Sequence, residues 1–168
     1  MAKIITNGDA SGHIDGTDHG DIINGEGGND QIGGHRGDDT INGGSGDDHV
    51  HGGKDHDILT GGSGKDVFVF KEFASTDSDE VKDFKHGTDA IGLDGYYLTA
   101  FQDGTFSSDE FTLGTRAHDA NDYLIYDHRT GHLYYDADGK GGEKQHLLAT
   151  FDHKPTIDAS AFHIFVEL

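Results

Sequence analysis

Cysteine and tryptophan are absent from the 168 residues, proline and methionine occur once each, and Lys plus Arg total 12 against 32 Asp plus Glu. Without cysteine there is neither a disulfide framework nor a thiolate metal site, and cysteine usage reports no redox compartment. The formal net charge of -20 argues against nucleic acid as a partner, because a phosphate backbone is held by clustered cations. No apolar run approaches the length of about 18 residues needed for a membrane span. The opening Met1-Ala2-Lys3-Ile4-Ile5 is too short to supply the charged and apolar regions of a signal peptide, so any export address is expected elsewhere.

Apolar residues are also scarce, at 32%, whereas glycine is abundant, at 27 residues. Such a composition ordinarily gives a disordered chain, since ordering costs about 1 to 2 kcal/mol per residue and few side chains are available to offset it. Periodicity changes that reading. Ile14, Ile23, Ile32, Ile41, Val50, Leu59 and Phe68 recur every nine positions. Asp21, Asp30, Asp39, Asp48, Asp57 and Asp66 keep the same spacing, as do Gly16, Gly25, Gly34, Gly43, Gly52 and Gly61. A second glycine follows three places later at Gly28, Gly37, Gly46 and Gly64. Three phases locked to one period signal a solenoid.

Glycines at fixed offsets permit positive φ and close approach of neighbouring backbone, so each unit begins with a turn. Each ends in three residues such as Thr40-Ile41-Asn42, a short strand with one apolar side chain inward. Two units would make one coil, with strands alternating between two parallel sheets and the apolar residues stacked in a narrow core. No unit can bury that face alone, so stacking is obligatory. Calcium supplies what the thin core lacks: a hard cation takes six to eight oxygen ligands, and these turns present carbonyls beside a carboxylate, whereas magnesium prefers a stricter octahedron. The expected ligands are Asp21, Asp30, Asp39, Asp48, Asp57 and Asp66 with the turns formed by Gly25, Gly28, Gly34, Gly37, Gly43, Gly46, Gly52, Gly61 and Gly64. Asn29, Asp38 and Asp47, immediately before the motif aspartates, are expected to add side-chain oxygens.

The run from Gly16 to Phe70 resembles the repeats-in-toxin (RTX) family, whose consensus is G-G-x-G-x-D-x-U-x. Units GEGGNDQIG, GHRGDDTIN, GGSGDDHVH and GGSGKDVFV carry it. The first of the six units has His19 in place of the second glycine, and the fifth has Asp55 there followed by His56, so weaker binding is expected at those edges. Residues 5–15 keep the apolar phase at Ile5 and Ile14 but have Asn7 and Gly12 at the glycine and aspartate positions, which reads as a degenerate cap coil.

Beyond Phe70 the period stops. The stretch Glu80-Val81-Lys82-Asp83-Phe84 with Gly87-Thr88-Asp89-Ala90-Ile91-Gly92-Leu93 resembles the family's D-x-I-x-D-F-x-x-G-x-D-x-I-x-L, with Val81 for the first isoleucine, and reads as strand, turn, strand closing the roll. Tyr123-Leu124-Ile125-Tyr126 and Leu133-Tyr134-Tyr135 flank a loop containing Gly131, a hairpin signal. The pattern running into Asp136-Ala137-Asp138-Gly139 is also familiar downstream of such repeats, although that loop lacks the distal glutamate of an EF-hand. Strands over 146–151 and 162–166 are expected to pair nearby in a small antiparallel cap over the open end of the roll.

Other signals fail. Gly64-Lys65 and Gly139-Lys140 lack the phosphate-loop context, and neither H-E-x-x-H nor G-x-S-x-G is present. His49 and His51 flank Val50 on one outward face, but the sequence identifies no third metal ligand. The outward positions Gln31, Gly33, Thr40, Asn42, His49 and His51 hold no aromatic ladder.

The expectation is an all-β protein without enzymatic activity: a calcium-stabilised parallel β-roll (β-solenoid) over residues 1–70, with 5–15 as cap coil and 16–69 as six repeats, then a β-rich C-terminal cap over 71–168. The resemblance implies a monomeric, secreted, extracellular module whose partners are calcium ions and a type I secretion apparatus, with an uncleaved signal in the final stretch Ala161–Leu168. In that reading the chain is unfolded at low cytosolic calcium and folds outside. The alternative is a calcium-dependent binding module for an extracellular polysaccharide or surface partner, appended to an upstream enzyme or adhesin.

Overall fold

The computed structural model describes residues 2–71, 77–139 and 145–165. Its first eight strands are β1 (Ile4–Thr6), β2 (His13–Asp15), β3 (Ile22–Asn24), β4 (Gln31–Arg36), β5 (Thr40–Ser45), β6 (His49–Lys54), β7 (Ile58–Ser63) and β8 (Val67–Phe70). Odd strands pair in parallel in one sheet and even strands in the other, so two nonapeptide units complete each coil. This is the β-roll that the period predicts. Strands β4 to β7 have six residues rather than three, because parallel pairing between successive coils continues through the turn residues, His35 with Gly53 and Gly44 with Gly62.

The period ends at residue 69, but the sheets do not. After β8 come β9 (Asp79–Val81) and β10 (Ala90–Asp94), which add in parallel to β7 and β8 respectively. Three further strands, β11 (Phe111–Leu113), β12 (Leu124–Asp127) and β13 (His132–Tyr135), precede β14 (His146–Phe151) and β15 (Phe162–Phe165). Of the two strands expected to pair near the hairpin, β14 does so through β13 and also lies parallel against β9, whereas β15 lies parallel against β10 in the other sheet. They behave as a last coil. The predicted hairpin is β12 with β13, and β13 pairs antiparallel with β14, so the cap joins one roll sheet edge to edge and shares its core.

Side-chain columns explain why these distant strands join. In one sheet Ile5, Ile23, Ile41, Leu59, Val81 and Phe151 stand in register. In the other, Ile14, Ile32, Val50, Phe68, Ile91 and Phe162 do so. All but Ile5 are buried. The columns widen from aliphatic to aromatic residues toward the C-terminal end, where Phe84 lies 6.2 Å from Phe68 and 5.3 Å from Phe151 between ring centroids. Tyr126 stands edge-on to Phe151 and its hydroxyl donates to the Pro155 carbonyl at 2.8 Å. Each fully buried side chain of this size contributes about 1.5 to 3 kcal/mol.

Candidate metal centre

Along each flank of the roll, the motif aspartates form a ladder. Oδ1 of Asp39 accepts the backbone N–H of Asp21 at 2.6 Å, Asp57 that of Asp39 at 2.8 Å and Asp79 that of Asp57 at 3.2 Å. On the opposite flank Oδ1 of Asp30, Asp48, Asp66 and Asp89 accepts from Gly12, Asp30, Asp48 and Asp66 in turn. One carboxylate oxygen per rung thus serves the neighbouring coil.

The other oxygen is what the hydrogen bonds leave over. Oδ2 of Asp30, Asp39, Asp48, Asp57 and Asp66 is buried without a hydrogen-bond partner. Burying an unpaired carboxylate oxygen is costly, and native interiors leave few such atoms. Each orphan points at the first glycine of its own unit: Gly25 beside Asp30, Gly34 beside Asp39, Gly43 beside Asp48, Gly52 beside Asp57 and Gly61 beside Asp66. Carbonyls of the adjacent coil lie against the same space, those of Gly43, Gly52 and Gly61 facing Gly25, Gly34 and Gly43. A Cβ at these glycines would occupy the space, so glycine is required here by close approach. At Gly46 close approach to the Gly28 carbonyl combines with a backbone φ of 129°.

An oxygen-only pocket of carboxylate and carbonyls suits calcium. Asp30, Asp39 and Asp48 with the carbonyls named above would hold such an ion, and Asp57 and Asp66 present the same orphaned oxygen. The ends of the ladders differ. Oδ2 of Asp21 accepts both the backbone N–H and the hydroxyl of Thr17, each at 2.8 Å, and Oδ2 of Asp89 accepts the Lys85 N–H at 2.8 Å. Asp21 therefore has no orphaned oxygen.

Asn29, Asp38 and Asp47 are exposed, and their Oδ1 atoms accept the N–H of Asp47, His56 and Lys65 from the following coil. They are placed to hold successive turns together. In the fifth unit, Asp55 adopts φ of 81° in place of glycine and accepts the Gly37 N–H at 3.0 Å, and Asp57 Oδ2 is buried without a partner as in the neighbouring units. The period could not reveal Asp77, Asp79 and Asp89, which continue the stacking onto Asp55, Asp57 and Asp66. Their offsets are 22 or 23 residues, where the repeat uses 18. At the Asp136 loop the Asp138 N–H bonds Asp136 Oδ1 at 3.3 Å, a local turn.

Electrostatics show what the metal-free ladder costs. Burial pushes the Asp57 carboxyl up to about 7 and those of Asp39 and Asp66 up to about 6; the accepted N–H opposes this and neighbouring carboxylates reinforce it. Burial also raises Asp48 and Asp89, and it raises Asp79 strongly, with the charge of Asp57 adding to the effect. For Asp21 burial acts upward too, but hydrogen bonds from Thr17 and Lys3 hold it below the ordinary value. A divalent cation among the raised carboxylates would relieve both burial and repulsion.

The chain matches the family of the RTX calcium-binding nonapeptide repeat (4 copies) over residues 8–41, 15–50 and 33–68. No curated protein matches it. Among solved structures it is similar to the solution structure of the AlgE6R3 subunit from the Azotobacter vinelandii mannuronan C5-epimerase, at 24% identity, 93% coverage of this chain, 79% of that chain and a TM-score of 0.34. So loose a likeness transfers neither structural detail nor substrate.

Proposed function

We propose that this chain, whose residues 8–68 are RTX calcium-binding nonapeptide repeats, is a non-catalytic calcium-dependent folding module of a type I secreted protein. The observation that carries this reading is the row of buried carboxylate oxygens without partners on Asp30, Asp39, Asp48, Asp57 and Asp66. In calcium-poor cytosol these groups keep their water only if the coils stay open. The net charge of -20 opposes compaction further. A chain held open in this way can thread a narrow export channel.

Outside the cell, binding confined to the folded state stabilises it by RT ln(1 + [L]/Kd), about 4 kcal/mol per site at a thousandfold excess of calcium. Because each pocket is walled by two coils, filling one orders part of the next, and the response is steep. The aromatic cap, with Phe68, Phe84 and Phe151 in contact, supplies the apolar end from which coils stack. Folding after passage also hinders return through the channel.

Small-angle scattering tests the reading. Chelated chain should have a radius of gyration of about 40 Å and calcium-loaded chain about 15 Å, the scales of an unfolded and a compact chain of this length. A compact chain in chelator would remove the basis for ion-gated export.

A further inference from the structure

The outer face of the sheet formed by β2, β4 and β6 holds a second group of metal-binding side chains. Residues on either side of the inward Ile14, Ile32 and Val50 point outward, which places His13, Gln31 and His49 along one row and Asp15, Gly33 and His51 along the next. These rows line a groove of about 750 Å³ that Phe165 closes on one side. At one end, His13 Nε2 lies 3.1 Å from Asp15 Oδ2, and His35 Nε2, arriving from the following coil, lies 3.1 Å from Asp15 Oδ1.

Three observations give this trio a chemical sense. His13 Nδ1 lies 3.3 Å from Gln31 Oε1; with Nδ1–H donating there, the Nε2 lone pair of the neutral ring faces the carboxylate, a contact that either a proton or a shared metal ion makes favourable. His35 adopts φ of 81°, where the corresponding Gly44, Gly53 and Gly62 of later coils have 107°, 115° and 104°, so a histidine sits where the repeat otherwise uses glycine. Gly33 leaves the space over Asp15 open, since a Cβ there would stand 3.6 Å from Oδ1.

We propose that His13, Asp15 and His35 bind one transition metal of the zinc class, at a site chemically distinct from the calcium pockets. Two imidazoles and a carboxylate suit zinc, cobalt, nickel or copper, whereas calcium takes oxygen and does not compete. The nitrogen-to-oxygen separations are near the edge of about 3.3 Å that a tetrahedron with bonds of 2.0 to 2.1 Å requires. As they stand, the rings approach opposite oxygens and the three side chains do not meet at one point. All three side chains are about half exposed, and closing on one ion calls for rotation of the rings toward a common point. Remaining coordination positions open to the groove.

The test is titration of cobalt(II) into the full chain at neutral pH in saturating calcium, read by the visible ligand-field absorption, followed by displacement with zinc. One equivalent should bind with nitrogen-ligand bands, and His13→Gln, Asp15→Asn and His35→Gly should each weaken it by at least about tenfold. His35→Gly relaxes the backbone, and circular dichroism in calcium verifies that each variant is folded. His128→Gln, in the hairpin loop, should leave binding unchanged. Unaltered binding in the folded His13→Gln and His35→Gly variants would overturn the site, as would no cobalt spectrum at millimolar metal. The readout is separate from calcium-induced folding, so either reading can fail alone.

Discussion

Asp57 gives one carboxylate oxygen to the backbone N–H of Asp39 at 2.8 Å and keeps the other buried with no partner. The first contact ties one coil to the next, and the second makes that tie unfavourable until a cation arrives. Replacing an aspartate by asparagine separates these roles, because the amide oxygen can still accept while the charge is lost. For Asp48→Asn, whose contact to the Asp30 N–H is 2.8 Å, the calcium midpoint for folding should rise by at least tenfold, ~1.4 kcal/mol. Far-ultraviolet dichroism during a calcium titration measures it.

Acid should partly replace calcium. Burial pushes Asp39 and Asp66 up to about 6 and Asp57 up to about 7, against an ordinary 3.8. The folded state therefore holds extra protons between about pH 4 and 7. The resulting stability is fully present below the unfolded value and is lost as pH rises through 6 to 7. Strand content in chelator should increase on acidification from pH 7.5 to 5, and calcium affinity should fall over the same interval. Dichroism at fixed chelator across that range checks both, and a flat profile would count against the buried ladder.

Glycine substitutions should divide by position. A Cβ on Gly43 would meet Asp48 Oδ2 and come within 2.7 Å of the Gly61 carbonyl, whereas on Gly33 it meets nothing nearer than 3.6 Å. Gly43→Ala should cost about 1 to 3 kcal/mol and raise the calcium requirement, while Gly33→Ala should change calcium-dependent folding little. Thermal melts in calcium distinguish them.

The roll and the cap share one core, so damage to the cap should weaken the roll. Phe84 lies within 6.2 Å of Phe68 and 5.3 Å of Phe151. Phe84→Ala should destabilise the calcium-loaded chain by about 3 to 5 kcal/mol. Denaturant unfolding should show the loss in the nonapeptide strands as well as the cap; a loss confined to the cap would contradict a shared core.

Much of this was legible in the sequence because one period controls three properties at once. The phase of Ile14 to Phe68 identifies the inward residues, and the aspartate phase identifies the carboxylates that stack. Past Phe70 the turns change length, and Asp79 and Asp89 fall 22 and 23 residues from their partners, so periodicity no longer identifies them. The pairing of β14 and β15 with the roll depends on Phe151 and Phe162 completing apolar columns across more than 60 residues, which only the folded chain reveals. In sequence His35 sits unremarked within the unit GHRGDDTIN, and only the stacking of coils brings it to Asp15.

The most direct measurement is a calcium titration of chelator-treated protein followed by far-ultraviolet circular dichroism, with magnesium in parallel. The account predicts a steep transition from coil to strand with calcium and none with magnesium. A chain already rich in strand before calcium is added, or one that responds equally to both ions, would contradict it.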